Sequence, residues 1–391
     1  MKKWIKISDL LFFQEGPGVR NNQYTTNGVK LLNVANLVNG RVDLSKSERY
    51  ISPEEAYGKY KHFLVGEGDF IIASSGIKVD YFDKKMGFIK KEHLPLCMNT
   101  STIRLRSLDS NKMNINYFMY YLKSQSFKTQ LSKQITGSAQ LNFGPSHLKK
   151  MEFPLVAMNE QNSIILSLSN IENQIILKEQ QLQEYDQLIK SRFVEIFGDQ
   201  KTNSKRWELK TIGETCKLKS GTSLNLEVEN EGGPILYIKV GDMNLTGNEK
   251  YITTSSRHVT ERTAKNGLFD VGAIIFPKRG GAIGTNKKRM TITRICADLN
   301  IMGVTPLASL NSHYLLAYFD EIDMGSLNDG SSVPQINNSD IAPLKICLPP
   351  IELQNKFSEF AKQVDKLKFE IRKSLDETQM LFDSLMQEYF G

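Results

Sequence analysis

The densest run of positive charge in this sequence of 391 residues is PKRGGAIGTNKKR, residues 277–289, which we name the basic loop. It contains five basic residues and no acidic residue, and its glycines let the backbone approach a partner closely. Lysine and arginine side chains in such a loop can pair with phosphate groups or with the edges of guanine bases. The pattern therefore predicts a nucleic-acid contact surface made of Lys278, Arg279, Thr285, Lys287, Lys288 and Arg289.

A second loop occupies the corresponding place in the first half of the chain. It is ASSGIKVDYFDKK, residues 73–85, which we name the first-half loop. Each loop follows an apolar run, FIIA or AIIFP, of the kind that favours a β-strand. A single basic loop is more often only a solvated surface, but two loops at matching positions favour binding. The candidates in the first-half loop are Lys78, Tyr81, Lys84 and Lys85.

Two Gly-Ser segments, TGSAQLNF and DGSSVPQIN, add side-chain amides to the two halves. Asparagine and glutamine amides can form paired hydrogen bonds with adenine. The same segments could equally be ordinary turns before a strand, and both interpretations stay open. The amide candidates are Gln140, Asn142, Gln335 and Asn337.

Motifs whose spacing is dictated by a catalytic mechanism are absent from the sequence. It contains no GxxxxGK[ST], HExxH, GxSxG or CxxC, and its five histidines are scattered. Scattered histidines argue against a histidine-based metal site or catalytic triad. The Pro-Pro pair in LPPI lacks the neighbours that an amine-holding methyltransferase loop requires. We therefore predict no catalytic activity and no metal bound by this chain.

Composition limits the class of protein. With 40% hydrophobic and 24% charged residues, the chain should fold into globular domains, and its length favours two of them. The net charge of +7 permits a polyanionic partner without requiring one. Four distant cysteines favour a reducing compartment, and no apolar run is long enough to span a membrane. The starting segment MKKWIKISDLLFF is predicted to be folded, and the protein to be soluble and cytoplasmic.

An internal repeat organises the chain into two similar halves. MNEQNSIILSLSNIENQI aligns without a gap with IELQNKFSEFAKQVDKLK, and Gln161 then falls on Gln354. The same offset carries Phe197 onto Phe390. With small insertions, Trp4 matches Trp207, and the run YI at residues 50–51 matches the run YI at 251–252. The sequence therefore predicts one structural unit that is used twice.

Each half begins with short β-favouring runs and ends with a long helix. Residues 159–197 and 352–390 contain neither proline nor glycine, and their apolar residues recur at alternating steps of three and four, as in a coiled coil. Lys178 interrupts the first seam and Lys368 the second. Since each seam must be buried, the two helices are predicted to pair antiparallel. The runs YFMYYL and YLLAYF predict a shorter helix in each half.

The doubled order of these motifs resembles the DNA-specificity subunits of type I restriction-modification systems. The shared features are a variable domain, a GSAQLN- or GSSVPQIN-like segment, a short strand ending in proline (MEFPLV, ICLPPI) and a long helix that opens with E-Q or E-L-Q-N. KSRFVEIFGD, residues 190–199, is similar to the end of the first helix in this family. Leu141 departs from the pattern, because the second copy has Pro334 at that place.

The resemblance implies an α+β fold with two tandem target recognition domains, each a twisted β-sheet with helices, joined by two long helices in an antiparallel coiled coil. The implied division is recognition domains at residues 1–155 and 201–348, with spacer helices at 156–200 and 349–391. Each recognition domain would read one half of a split double-stranded DNA target. Helix length would then set the unspecified gap between the two half-sites.

The resemblance also implies partners. Two modification subunits would methylate adenine with S-adenosylmethionine, and restriction subunits would use ATP and Mg²⁺, while this chain would be non-catalytic and bind none of these cofactors. One alternative is a two-domain coiled-coil scaffold that binds proteins instead of DNA. Salt-sensitive DNA binding would separate the two hypotheses. A free-standing nuclease-methyltransferase ranks last because its cofactor motifs are missing.

Overall fold

The computed structural model of the protein describes residues 2–45, 47–134, 141–327 and 334–391. Its contacts divide the chain into two compact units, and each unit contains part of both long helices. The first unit comprises Met1–Leu177 and Ser374–Gly391, and the second unit comprises Lys178–Lys373. In the described part of the chain, no helix is both long enough and apolar enough to cross a bilayer.

The first unit is built on a four-stranded antiparallel sheet. Its strand order is Leu11–Glu15, Thr102–Ser107, Phe70–Ala73 and Met86–Phe88. A three-stranded sheet lies beside it, with the order Leu96–Met98, Val29–Leu32 and Tyr50–Ile51. The remaining strands form pairs: Lys3–Lys6 with Glu152–Leu155, Leu37–Val38 with Arg41–Val42, and Ser75–Ile77 with Leu141–Asn142.

Aromatic side chains from short helices fill the core of the first unit. Asn114 begins the helix Ile115–Lys123, because its side chain accepts a hydrogen bond from the free backbone N–H of Asn116. Tyr117 and Tyr121 of this helix are fully buried and pack on the ring of Phe153. The α-helices of this unit outside the long helices are Pro53–Tyr57, Ile115–Lys123, Gln125–Gln134 and Pro145–Leu148.

The second unit repeats this plan, with one further strand in each of its two sheets. Its larger sheet has the order Cys216–Ser220, Ile301–Pro306, Ile274–Pro277, Arg289–Thr291 and Tyr251–Ile252. The smaller sheet has the order His258–Val259, Ile235–Ile238, Ile295–Ala297 and Leu268–Phe269, and Glu208–Thr211 pairs with Lys345–Leu348. The shorter α-helices are Ile212–Thr215, Glu261–Ala264, Ser312–Asp320 and Asn338–Ile341.

Two of the predicted matches between the halves are wrong: one is shifted in register, and the other joins strands that are not equivalent. Trp4 pairs with Pro154, whereas Leu209 pairs with Cys347 at the same place in the second unit, so Trp4 corresponds to Leu209. Tyr50–Ile51 pairs with Val29–Leu32, and in the second unit His258–Val259 takes that place. The YI runs match in sequence only. The strand Tyr251–Ile252 is the fifth strand of the larger sheet, which the four-stranded sheet of the first unit lacks.

The long helices are Met158–Phe197 and Ile351–Phe390, as the sequence predicts. In the second unit the ring of Phe193 lies 5.5 Å from that of Phe357, and Asp186 pairs with Lys368. Residue numbers rise on one helix as they fall on the other, so the helices run antiparallel there. In the first unit, one hydrophobic core contains side chains from the start of the first long helix and from the end of the second: Ile164, Leu168, Met386 and Phe390.

Candidate nucleic-acid interface

In the second unit, the fold brings the basic loop and the amide-bearing segment together. The backbone N–H of Gly280 donates to the carbonyl of Pro334 at 2.8 Å, and that of Ile336 donates to the carbonyl of Lys278 at 2.9 Å. Arg279 and Gln335 form a β-bridge between these bonds. Two sets of residues that were predicted separately, more than fifty positions apart in sequence, therefore form one surface.

The first unit contains the same arrangement. Leu141–Asn142 pairs antiparallel with Ser75–Ile77, and the backbone N–H of Phe143 donates to the carbonyl of Ser74 at 2.9 Å. The amide-bearing segment thus meets the first-half loop directly after the strand Phe70–Ala73. Gln140 lies outside the described residues, and the side chain of Asn142 is likewise outside the described part of the structure.

Each loop leaves a fully buried strand and folds into a short helical turn that inserts one apolar side chain into the core. The turn Val79–Lys84 buries Phe82, and the turn Gly280–Thr285 buries Ile283. Asn286 ends the second turn with a φ of 54°, a left-handed conformation that asparagine tolerates better than most residues. Each buried side chain anchors its own loop to the core and so fixes the position of the polar residues on either side of it.

The candidate residues of the basic loop differ in how much of their side chains is exposed to solvent. Arg279 and Thr285 are exposed, and Lys287 is half-buried with its ammonium group bonded to Asn244. By contrast, Lys278 and Lys288 are only 7% and 6% exposed. The charge that this loop presents to solvent is therefore smaller than its sequence suggests.

Both buried lysines are satisfied inside the protein. Lys278 donates to the hydroxyl of Ser220 at 2.9 Å, while Lys288 donates to the carbonyl of Ile322 at 2.7 Å and to the side chain of Asn286 at 2.9 Å. Burial lowers the pKa of both ammonium groups, and the nearby charge of Arg279 lowers that of Lys278 further. These two side chains hold the shape of the basic loop.

Arg289, Gln335 and Asn337 are half-buried. The guanidinium of Arg289 donates to the carbonyls of Lys288 at 2.8 Å and Met243 at 3.3 Å, and burial lowers its pKa. The Gln335 amide donates to the Asn337 side chain at 2.6 Å. This bond orders the two amides beside the exposed Arg279.

The first-half loop presents a cationic and aromatic surface. Lys78, Tyr81 and Lys84 are exposed, and Lys85 is half-buried. The ammonium group of Lys84 lies 5.3 Å from the centre of the Tyr81 ring, which is within the range of a cation–π contact. An exposed ring beside a lysine offers both a stacking surface and a phosphate partner.

Sequence reasoning missed the residues that support these loops. Asn286, Ser220 and Asn244 hold the basic loop by hydrogen bonds, and Lys128 of the helix Gln125–Gln134 pairs with Asp83 of the first-half loop at 3.0 Å. Only Asn286 carried a local signal, since an asparagine that ends a glycine-rich turn is typical of left-handed backbone. The other contacts depend on tertiary structure.

Among the described residues, no group of three or more His, Cys, Asp or Glu side chains is placed to hold a metal ion. All four cysteines are buried and unpaired by disulfides. Burial raises the pKa of Cys97 and Cys216 to about 12, so these thiols stay protonated at neutral pH.

Comparison with known proteins gives a consistent result. The family model described as type I restriction modification DNA specificity domain matches residues 2–186 and again 204–378. These two matches cover most of the chain and follow its internal repeat.

Three relatives illustrate the similarity. The type I restriction enzyme MjaIX specificity subunit of Methanocaldococcus jannaschii is 22% identical over 372 residues, which is 84% of each chain. The MjaVIII specificity subunit of the same organism is 25% identical over 186 residues, 46% of this chain and 42% of that protein. The crystal structure of a type I restriction-modification S subunit from M. genitalium superposes with a TM-score of 0.60 at 17% identity, covering 100% of this chain and 96% of the other.

Proposed function

Since this chain belongs to the type I restriction-modification DNA specificity family, we propose that it is the specificity subunit of such a system and that each unit reads one half of a split DNA target. The observation that carries the proposal is the duplicated convergence of a polar loop with an amide-bearing segment, at Arg279 and Gln335 in one unit and at Ser75 and Asn142 in the other. Amides read base edges, and cations hold the DNA backbone.

The exposed and half-buried members of the candidate set would make the contacts. We assign phosphate or base contacts to Arg279, Thr285 and Lys287 in the second unit, and to Lys78, Tyr81, Lys84 and Lys85 in the first. Arg289 and the amides Gln140, Asn142, Gln335 and Asn337 would complete the two surfaces. Lys278 and Lys288 would act by shaping the basic loop, because their ammonium groups are buried. The recognition domains would span residues 1–155 and 201–348, with spacers at 156–200 and 349–391.

The long helices offer surfaces for two copies of a partner. Ile176 and Phe369 occupy matching positions in the repeat and are 45% and 64% exposed, and Leu188 and Leu381 match in the same way at 45% and 51%. Each unit contains one residue of each pair. Patches of exposed apolar side chains mark protein docking surfaces in many proteins. We assign them to two modification subunits, and restriction subunits would complete the larger assembly.

In this proposal the chain itself is non-catalytic. S-adenosylmethionine, ATP and Mg²⁺ would be bound by the partner subunits, and the assembly would act on double-stranded DNA in the cytoplasm. The contribution of this chain is positional: it brings two reading surfaces and two docking surfaces into one molecule.

The test is to co-express the chain with the modification subunit encoded beside it and to map methylated adenine across the host genome. A methylated motif of two short half-sites separated by an unspecified gap supports the proposal. A stable complex that methylates no split motif and shows no salt-sensitive DNA binding would instead support the protein-binding scaffold. For comparison, the same complex with Arg279→Ala and Lys287→Ala should show weakened recognition of one half-site and unchanged recognition of the other.

A further inference from the structure

Glu172 and Asp365 occupy matching positions on the two long helices, and each contacts the sheet-bearing part of its own unit. Glu172 accepts a hydrogen bond from the hydroxyl of Tyr120 at 3.0 Å and pairs with Lys123. Asp365 accepts from Lys250 at 2.7 and 2.8 Å and also from the hydroxyl of Tyr251. The partners of Glu172 therefore lie on a helix, whereas those of Asp365 lie at the start of the strand Tyr251–Ile252 and directly before it.

These ion pairs are partly withdrawn from water. The Lys250 and Asp365 side chains are 24% and 14% exposed, and those of Lys123 and Glu172 are 18% and 34% exposed. Charged hydrogen bonds in such surroundings are stronger and less screened by salt than pairs on an open surface. They can resist a change in the angle between a helix and the domain packed on it.

The contact at Asp365 leads directly to the basic loop. Lys250 accepts a hydrogen bond at its carbonyl from the backbone N–H of Met290 at 2.9 Å. The strand Tyr251–Ile252 pairs in parallel with Arg289–Thr291, where the basic loop ends. Tyr251–Ile252 is the strand that the larger sheet of the second unit has in addition to those of the first. Only one strand pairing thus separates the long-helix carboxylate from the residues assigned to DNA.

A second polar link supports the same strand. The hydroxyl of Tyr251 lies 3.3 Å from Nε2 of His313, and Nδ1 of His313 lies 3.0 Å from the hydroxyl of Ser358 on the second long helix. Ser358 is only 3% exposed, so its hydroxyl is closed to a substrate. The consecutive contacts from Ser358 through His313 and Tyr251 to Asp365 therefore hold this strand against the second long helix.

In the first unit, Glu172 reaches its loop through packed rings. Its partners Tyr120 and Lys123 lie on the helix Ile115–Lys123, whose Tyr121 ring lies 5.6 Å from that of Phe127. The Phe127 ring in turn lies 5.2 Å from that of Phe82 in the first-half loop. Both carboxylates are thus joined to a reading loop by a short series of direct contacts.

We propose that Glu172 and Asp365 are positioning residues that set the orientation of each reading loop relative to its own long helix. The proposal rests on the proposed function, because it assumes that the two loops read DNA. Its consequence is that each carboxylate governs the accuracy of one half-site and leaves the other unaffected. Neither residue touches DNA in this proposal.

The experiment uses the full chain in complex with its modification subunit. Asp365→Asn and Glu172→Gln remove the charge and keep the shape, and Glu370→Gln, an exposed carboxylate on the same helix as Asp365, is the control. Methylation rates are measured on DNA duplexes carrying the full target, a changed base in one half-site, or a gap one base pair longer or shorter.

We expect Asp365→Asn to lower discrimination about tenfold at the half-site read by the second unit, and Glu172→Gln to do so at the other. Both variants should also methylate duplexes with a longer or shorter gap faster, relative to the full target, than Glu370→Gln does. Asp365→Glu, which restores the charge, should recover most of the discrimination. Equal losses at both half-sites, or a slower rate with unchanged discrimination, would overturn the proposal. A wild-type complex that methylates no split target would instead overturn the proposed function, on which this proposal rests.

Discussion

Gln161 accepts a hydrogen bond from the backbone N–H of Asn114 at 2.9 Å, and this contact fastens the first long helix to the segment before the helix Ile115–Lys123. The amide of the same side chain donates to the carbonyls of Lys112 at 2.8 Å and Val156 at 2.9 Å. Gln161 has no exposed surface. Three backbone groups therefore depend on one buried side chain.

Gln354 makes the equivalent contacts in the second unit. It accepts from the backbone N–H of Asn311 at 2.8 Å and donates to the carbonyls of Ser309 at 3.1 Å and Pro349 at 2.8 Å. We expect Gln161→Leu and Gln354→Leu each to lower the free energy of unfolding of its own unit by about 3 kcal/mol, because buried polar groups lose their partners. Denaturant unfolding measures the effect, with Glu160→Gln as an exposed control. A loss below about 0.5 kcal/mol would contradict the assignment.

The ion pair between Lys368 and Asp186 predicts an asymmetric response to mutation. The Lys368 side chain is 7% exposed, whereas that of Asp186 is 55% exposed. Removal of Asp186 therefore takes the carboxylate partner from a buried ammonium group, whereas removal of Lys368 leaves a carboxylate that water can solvate. We expect Asp186→Ala to cost about 1 to 2 kcal/mol and Lys368→Ile to be neutral or stabilising. Isoleucine is the residue at the aligned position 175. In a double-mutant cycle, adding Asp186→Ala to Lys368→Ile should cost little, and full additivity would show that the pair does not interact.

His313 should make the second unit sensitive to acid. Burial, with the charges of Lys250 and Lys362, lowers the pKa of His313 from 6.5 to about 4. Between these values the unfolded chain binds a proton that the folded chain does not, so the free energy of unfolding falls as the pH drops from about 6.5 to about 4. The loss from this group is at most about 3 kcal/mol. Above pH 7 it contributes no pH dependence.

Comparison with His313→Gln isolates this effect from the titration of carboxylates. The difference in unfolding free energy between the two proteins should be constant above pH 7 and should shrink or change sign towards pH 4. Parallel curves over the whole range would show that His313 titrates normally in the folded protein.

The two reading loops should be separable by mutation. We expect Arg279→Ala with Lys287→Ala to weaken recognition of one half-site, and Lys78→Ala with Lys84→Ala to weaken the other. Each lost phosphate contact should also reduce the slope of log affinity against log salt by roughly 0.9. Binding to duplexes that carry one intact half-site measures both. If both double variants weaken the same half-site, the assignment of loops to units is incorrect.

Much of the architecture could be predicted because it rests on local pattern. The helices Met158–Phe197 and Ile351–Phe390 follow from uninterrupted stretches with coiled-coil spacing, and the strands Phe70–Ala73 and Ile274–Pro277 follow from apolar runs bounded by turns. Repetition strengthened each of these predictions, since the same pattern occurred twice at matching positions.

The loops show what local pattern cannot supply. Lys278 and Lys288 look like surface charge in sequence, but distant partners at Ser220 and Ile322 draw them inside. The match of Trp4 to Trp207 relied on residue identity, whereas strand register follows hydrogen bonding and places Trp4 opposite Pro154. Asp365 shows no local signal, because its partner Lys250 is remote in sequence.

The division of the chain into units has a consequence for biosynthesis. The second unit is one continuous stretch, Lys178–Lys373, whereas the first unit needs Ser374–Gly391 to complete its core, where Phe390 is fully buried against Tyr117. A ribosome therefore delivers every residue of the second unit before it delivers those that close the first. Domains usually fold in order from the N-terminus during translation, but here the core of the N-terminal unit can close only after the whole second unit has been synthesised.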